Sequence, residues 1–113
     1  MDVPTLFPWD FWVRISTAVL CGGLIGFERQ WHNKAAGIRT SILICLGTQT
    51  FVHLGASVEG IADDPTRVLG QVVTGIGFLG GGVILARGDT LYGVTSATVI
   101  WMLAAIGATI GLG

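Results

Sequence analysis

The chain alternates four long apolar runs with short polar connections. The runs extend from about Phe11 to Phe27, Thr40 to Ser57, Val68 to Ala86 and Val94 to Leu112. Each is close to the roughly 17–25 residues that an α-helix needs to cross the hydrocarbon core of a bilayer. The pattern therefore predicts an all-α membrane protein, with residues 1–113 forming a single transmembrane domain of about four helices. Because the connections are short, we expect neighbouring helices to run antiparallel.

Composition and charge support the membrane prediction. Hydrophobic residues make up 51% of the chain and charged residues 12%, and the mean hydropathy is +0.73. A soluble domain carries about 25% charged residues. The formal net charge is only -1, which lacks the basic patch of a nucleic-acid-binding protein. The expected surroundings are therefore the lipid bilayer, and no nucleic-acid partner is expected.

Glycine is concentrated in the third apolar run, where residues 70–86 include six glycines. Glycine costs about 1 kcal/mol relative to alanine in a helix in water. In a bilayer the backbone must still satisfy its own hydrogen bonds, and glycine lets two helices approach closely. A G-x-G-x-x-G match lies at residues 75–80, but no strand precedes it and no acidic residue follows at the required spacing. We therefore interpret the run as a helix-packing surface.

Small-xxx-small spacing occurs in three of the four runs. The pairs are Gly22 with Gly26, Gly77 with Gly81, and Gly107 with Gly111. Such a pair presents two glycines on one helix face, either to a neighbour in the same bundle or to a second copy in a homodimer. The sequence leaves both interpretations open. The predicted helix-packing residues are Gly22, Gly26, Gly75, Gly77, Gly80 and Gly81.

Charged residues gather where the first run ends and the second begins. We expect the hairpin to bring together a cluster of Glu28, Arg29, Gly37, Arg39 and Thr40. In one interpretation Glu28 pairs with an arginine and ties the hairpin, while the other basic groups contact lipid phosphates. In the other, the cluster is a partly desolvated site that binds an ion, a lipid head group or a partner protein. Gly37 indicates a turn with positive φ or a close backbone approach.

Polar side chains also occur within the apolar runs. Gln49 and His53 share one helix face, as do Gln71 and Thr74. These four residues either form hydrogen bonds between helices or line a small polar path. Mid-membrane acidic residues, which cation carriers usually need, do not occur in the runs. Arg14 either reaches the interface or pairs with an acidic group inside the bundle.

No catalytic constellation is present in the sequence. Cys21 and Cys45 lie in apolar runs without metal-binding or redox spacing, and we expect them to be buried and inert. No nucleophile–base pair, phosphate-binding loop or metal-ligand motif occurs. We therefore predict no enzyme activity, no catalytic residues, no bound metal and no cofactor.

Lysine and arginine in the connections predict the orientation. The first connection holds Arg29, Lys34 and Arg39, and the third holds Arg87. The second connection is acidic instead, with Glu59, Asp63 and Asp64 accompanied by one arginine. We expect the 28–39 connection to be cytoplasmic and the N-terminus to lie outside.

Four motifs in order resemble the MgtC/SapB family of bacterial inner-membrane proteins. They are residues 26–30 (GFERQ), 36–40 (AGIRT), 75–84 (GIGFLGGGVI) and 93–101 (GVTSATVIW). The resemblance covers about four-fifths of the chain, from about Gly22 to the last residue.

The family resemblance implies a function that the residues alone do not. It implies a virulence- and stress-associated protein that supports adaptation to low magnesium and survival inside host cells. It implies a modulator acting through protein–protein interaction in the inner membrane, with the F1Fo ATP synthase as the indicated partner. The alternatives are a transporter of magnesium or another small cation, and an inert membrane scaffold of a longer protein.

The chain departs from the family pattern after its fourth run. Family members usually continue with a fifth spanning helix, and many then carry a soluble cytoplasmic domain. Here the sequence ends at Gly113, where the fifth helix is expected to begin. We therefore expect the fifth family helix and the soluble domain to be missing, in either a truncated piece or a short natural member.

Overall fold

The structure, a computed structural model, describes residues 9–57, 65–87 and 90–113. Four α-helices account for nearly all of these: α1 (Trp9–Trp31), α2 (Ile38–Ser57), α3 (Pro65–Arg87) and α4 (Thr90–Leu112). The predicted all-α bundle is confirmed. Each helix extends beyond its predicted apolar run at one or both ends, because interfacial and capping residues continue the helical backbone past the hydrophobic core.

Three of the four helices are long and apolar enough to cross a membrane. These segments are Trp9–Trp31, Thr66–Leu85 and Gly93–Leu112. Helix α2 is also of spanning length but carries several polar residues. The prediction that it spans as well remains a prediction. The acidic connection with Glu59, Asp63 and Asp64 lies outside the described residues, as does the connection at residues 88–89.

Helices α2 and α4 form the centre of the bundle. The extensive contacts are those of α1 with α2, α2 with α4, and α3 with α4, whereas α1–α4 and α2–α3 contacts are fewer. Helices adjacent in the sequence run antiparallel, as predicted, whereas the central pair, α2 and α4, runs parallel, with Gly107 at Cys45 and Gly111 at Gln49. The core lies mainly between the central pair and consists of seven small or aliphatic residues, namely Ala18, Ile44, Cys45, Ile76, Ile100, Leu103 and Ala104.

Two of the three glycine pairs pack within the bundle. A Cβ added to Gly22 would lie 2.7 Å from the Ile42 Cα, and one at Gly26 would lie 2.6 Å from the Ile38 Cα. Real Cβ atoms do not approach this closely, so these glycines let the backbones of α1 and α2 touch. The pair on α4 packs on the other side of α2 in the same way. There an added Cβ at Gly107 or Gly111 would meet a backbone carbonyl oxygen at 2.5 or 2.6 Å.

The glycine-rich helix α3 is used differently. Gly80 meets the Ala97 side chain of α4, where an added Cβ would lie 3.3 Å from the Ala97 Cβ. Added Cβ atoms at Gly75, Gly77 and Gly81 would have no neighbour within 4 Å. Most of the predicted packing glycines of α3 therefore make no close contact with the other described helices. The choice between internal packing and a homodimer seam stays open for this helix.

Large apolar side chains cover the outside of the bundle. Exposed residues occur on all four helices, including Leu24, Phe51, Phe78 and Trp101. A soluble monomer rarely exposes so much contiguous apolar surface. Buried polar side chains meanwhile occupy the interior. This distribution suits a bundle surrounded by lipid.

Candidate functional site

Backbone hydrogen bonds fix the end of α1, where the turn to α2 begins. Asn33 adopts a left-handed conformation with φ of 57°. The Lys34 N–H donates to the Arg29 carbonyl at 2.8 Å, and the Asn33 N–H donates to the Gln30 carbonyl at 3.1 Å. This is a Schellman motif, and asparagine is the non-glycine residue that best tolerates its left-handed position. The end of α1 is therefore well defined.

A side chain of α1 caps the start of α2. The Ile38 N–H donates to Gln30 Oε1 at 3.2 Å, which satisfies one of the free donors in the first turn. Gly37 lies directly beneath this amide, because a Cβ there would be 2.8 Å from Gln30 Oε1. The close approach expected at Gly37 is present. The positive φ is found one residue earlier instead, at Ala36, whose φ is 61°.

Arg29 is the buried centre of the hairpin end. Only 5% of its surface is exposed. Its Nη2 donates to Ser96 Oγ of α4 at 2.5 Å, and its Nε donates to the Ala35 carbonyl at 3.1 Å. One guanidinium thus joins α1, the connecting turn and α4. Since arginine has five donors in a rigid plane, it can hold two such acceptors at once.

Other members of the predicted cluster point outward. Glu28 and Arg39 are exposed, as is Thr40, while Gly37 is half-buried. Glu28 pairs with His32, whose Nδ1 lies 3.3 Å from Glu28 Oε1. The structure therefore divides the cluster into a buried clamp, Arg29, and an exposed charged surface. We call Glu28, Arg39 and Thr40 the hairpin surface.

The four residues of the predicted polar path do not share one environment. Gln49 and His53 are buried, and the His53 ring packs on Phe11 with a centroid separation of 4.5 Å. Gln71 and Thr74 on α3 are exposed. The Thr74 hydroxyl donates to the Gly70 carbonyl of its own helix at 3.1 Å. The two residues of each pair have similar burial, but the two pairs do not form one buried path.

Gln49 is the least satisfied of these buried groups. Its Oε1 accepts a hydrogen bond from Thr50 Oγ1 at 3.3 Å. Its Nε2 has no hydrogen-bond partner among the described residues. Those residues also contain no group of three or more His, Cys, Asp or Glu side chains placed to hold a metal ion.

The opposite end of the bundle has its own arginine. Arg14 Nη2 lies 2.9 Å from Asp10 Oδ2, and Arg14 Nη1 donates to the Gly111 carbonyl at 3.2 Å. A cation near the last carbonyls of a helix is favourable because of the helix dipole. Arg14 therefore pairs with an acidic group and also holds the end of α4 against α1.

Sequence reasoning found Arg29 but not its partner. Ser96 lies 67 positions away in the chain and inside α4. The only sequence signal was that both residues fall within the family-like motifs at residues 26–30 and 93–101. The Ala35 carbonyl gives no residue-type signal, because any residue could supply it.

Taken together, the helices and their apolar exterior define an all-α membrane bundle. A sequence profile of the MgtC family matches residues 15–113. The chain belongs to the MgtC family, which confirms the resemblance drawn from the four motifs.

Named relatives share the same region. The chain is 46% identical over 99 residues to Protein MgtC of Brucella abortus (strain 2308), covering 88% of this chain and 41% of that protein. It is 41% identical over 108 residues to Protein MgtC of Salmonella typhimurium (strain LT2), covering 96% and 45%. It is 41% identical over 111 residues to "Putative magnesium transporter YhiD" of Escherichia coli (strain K12), covering 92% and 52%. The chain thus spans about half the length of these relatives. No solved structure matches it.

Proposed function

We propose that this chain acts in the bacterial inner membrane as a non-enzymatic modulator of adaptation to low magnesium, by docking a membrane protein through its hairpin surface. The observation that supports the proposal is that the hairpin end has a buried arginine and exposed charged residues. Arg29 is buried and holds the turn against α4, while Glu28 and Arg39 remain exposed on the rigid frame that results. Charged side chains on a preorganised backbone favour recognition of a partner, because little entropy is lost on binding.

Family membership and the residue pattern guide the choice of partner and orientation. The F1Fo ATP synthase, to which the family resemblance points, is the first partner to test. With the basic 28–39 connection on the cytoplasmic side, the hairpin surface faces the side where the catalytic part of that enzyme lies. A virulence role and intracellular survival belong to the same family-level proposal.

The direct test removes the exposed charges without touching the clamp. The variants Glu28→Gln and Arg39→Gln are expressed in a bacterium lacking its own family member, with Thr109→Val on exposed α4 surface as the control. We expect each charge variant to lower partner co-purification about tenfold, which corresponds to about 1.4 kcal/mol. Growth at low magnesium is expected to fall with it. Wild-type recovery and growth in both variants would contradict the role of the hairpin surface.

A transporter of magnesium or another small cation is the second candidate, and the name of the Escherichia coli relative favours it. It needs a continuous polar path, for which Gln49, His53, Gln71 and Thr74 were the sequence candidates. The purified chain in liposomes decides between the two, because a modulator produces no magnesium, potassium, sodium or proton flux above empty vesicles. Complementation by residues 1–113 alone tests the third possibility, an inert scaffold.

A homodimer remains part of the proposal. Its best-placed seam is the face of α3 that carries Gly77 and Gly81, since these glycines have no internal neighbour. The pairs on α1 and α4 are already engaged with α2. Cross-linking of single cysteines along α3, in a background lacking Cys21 and Cys45, would give dimers on one face if this seam exists.

A further inference from the structure

Helices α2 and α3 diverge and leave an open apolar groove between them. The groove has a volume of about 1070 Å³ and runs from Thr40 to Gly55 along α2 and from Arg67 to Leu79 along α3. Its walls are aliphatic or aromatic over most of this length, including Leu43, Phe51 and Ile76. We call it the α2–α3 groove. Thr40 is the one residue that the groove shares with the hairpin surface, and neither Arg29 nor the charged Glu28 and Arg39 line the groove.

Polarity changes in steps along the α3 wall. Arg67, Gln71, Gly75 and Leu79 all line the groove and follow one another at four-residue intervals. Such residues lie on one helix face, with about 6 Å of axial rise between them. The wall therefore begins with a guanidinium at the helix start, continues with an amide one turn deeper, and is apolar from there.

Arg67 is available for a ligand at the mouth of the groove. Its side chain is exposed, and it has neither a hydrogen bond nor an ion pair within the described residues. Arg67 differs in this respect from Arg14 and Arg29, which both donate hydrogen bonds to backbone carbonyls. A guanidinium without a partner among the described residues, at the end of an apolar groove, is complementary to an anionic oxygen attached to a hydrocarbon chain.

We propose that the α2–α3 groove holds one phospholipid molecule of the surrounding bilayer as a bound lipid. Its phosphate contacts the Arg67 guanidinium, and the Gln71 amide donates to an ester carbonyl one turn deeper. An acyl chain lies along Gly75 and Leu79 against Phe51 and Leu43 of α2. The order of phosphate, ester and hydrocarbon in the lipid is the order of guanidinium, amide and apolar wall in the groove.

The lining favours a lipid over a helix from a second copy. The groove extends about 22 Å between Thr40 and Gly55, at 1.5 Å per residue. Over that length large side chains such as Phe51 and Leu79 alternate with Gly47 and Gly75. A rigid helix follows such an uneven surface less closely than a flexible chain does. A flexible hydrocarbon chain can fill the irregular space between Phe51 and Ile76.

The test compares two glycines of α3 that differ only in their relation to the groove. Gly75 lines it and Gly77 does not, yet an added Cβ at either position meets no atom within 4 Å. The full chain is purified in detergent with palmitoyl-oleoyl phosphatidylglycerol or phosphatidylethanolamine, and the bound lipid is counted by native mass spectrometry. Oleic acid serves as a probe without a phosphate.

We expect one phospholipid to remain on the wild type and on Gly77→Leu, and about tenfold less on Gly75→Leu, whose side chain fills the groove. Arg67→Gln is expected to lower phospholipid retention about tenfold and to leave oleic acid binding unchanged, whereas Arg39→Gln at the other end changes neither.

Three results would overturn the proposal. The first is a wild type that retains no phospholipid, and the second is equal retention by the two leucine variants. The third is a protein that binds no lipid and whose dimers are lost in Gly75→Leu, because this result would assign the groove to a second copy. None of these depends on partner docking at the hairpin surface, so failure of one proposal leaves the other standing.

Discussion

Arg29 shows why a charged residue is buried at the end of a membrane helix. Its guanidinium reaches one acceptor on α4 and one in the turn, so removing it from water is offset by hydrogen bonds from a charged donor. These bonds also satisfy the buried Ser96 hydroxyl and the Ala35 carbonyl, which would otherwise lie in a medium that cannot hydrate them. The Arg29 charge therefore has a structural role, which is to hold the turn and α4 together.

Replacing Arg29 by lysine is expected to destabilise the bundle by about 1–3 kcal/mol, the cost of leaving buried polar groups without partners. A lysine ammonium is a compact donor without the planar fork, so it cannot hold Ser96 Oγ and the Ala35 carbonyl together. Unfolding by sodium dodecyl sulfate in mixed micelles, followed by circular dichroism, measures the change. Arg39→Lys at an exposed position is the matched control and should shift the midpoint little. Equal shifts in both variants would show that burial of Arg29 contributes nothing to stability.

Gly37 and Ala36 show how far residue type predicts backbone conformation. The glycine was the expected site of a positive φ, yet the left-handed residue is Ala36. Gly37 has a different role, because its bare Cα lets the Gln30 side chain lie against it while capping α2. The sequence therefore indicated a tight hairpin at the right place. It could not assign the two roles, since the Gln30 contact exists only after the helices dock.

At the scale of the helices, identical glycine spacing has different consequences. The pairs on α1 and α4 both press against α2, which is why α2 lies at the centre of the bundle. The pair on α3 has open space in front of it. Spacing predicts that a helix presents a smooth face, because it depends only on the helical period. The partner of that face depends on the arrangement of all four helices.

Alanine substitutions separate these cases. Gly26→Ala is expected to cost a few kcal/mol, because its Cβ would lie 2.6 Å from the α2 backbone and the helices must move apart. Gly77→Ala meets no neighbour, so the monomer should gain up to about 1 kcal/mol from helix propensity. Denaturation in mixed micelles measures both changes.

The same variants report on the homodimer. If α3 forms the seam, Gly77→Ala should weaken dimerisation measured by energy transfer between labelled chains, while leaving the monomer folded. Comparable destabilisation of the monomer by Gly26→Ala and Gly77→Ala would contradict the packing described for α1 and α3.

Much of the fold could be predicted because its signals are local. Run lengths and short connections give four antiparallel helices, and Gly22 with Gly26 gives a close contact. The site was less predictable. The residue types at Glu28, Arg29 and Arg39 marked the correct end of the bundle, but which of them turns inward depends on Ser96, 67 residues away. Gln49 and Gln71 looked alike in sequence, and only the packing buries one and exposes the other.

At the scale of the whole molecule, α2 directs most of its polar side chains to the interior of the bundle. Its buried residues include Ser41, Thr48, Gln49 and His53, while the exposed residues of its middle turns are Leu43 and Phe51. Among the four described helices, α2 is the one without a segment apolar enough by composition to be counted as membrane-spanning. The surface that it shows to the surroundings is nevertheless apolar, because the polar groups face α1 and α4. A helix of this kind can span a bilayer without meeting a hydropathy threshold.

This distribution predicts that all four helices cross the membrane, with the hairpin end and the opposite end on different sides. In a background with Cys21→Ala and Cys45→Ala, single cysteines at Asn33 and Asp10 report on the two ends. A membrane-impermeant maleimide added to intact spheroplasts should label Asp10→Cys, and Asn33→Cys should react only after the membrane is opened. The expected pattern agrees with the basic residues of the 28–39 connection, which favour the cytoplasmic side.

Leu43→Cys, on the exposed middle of α2, should resist the reagent in both conditions because lipid covers it. Rapid labelling of Leu43→Cys in sealed cells would place α2 in water and would contradict a four-helix span.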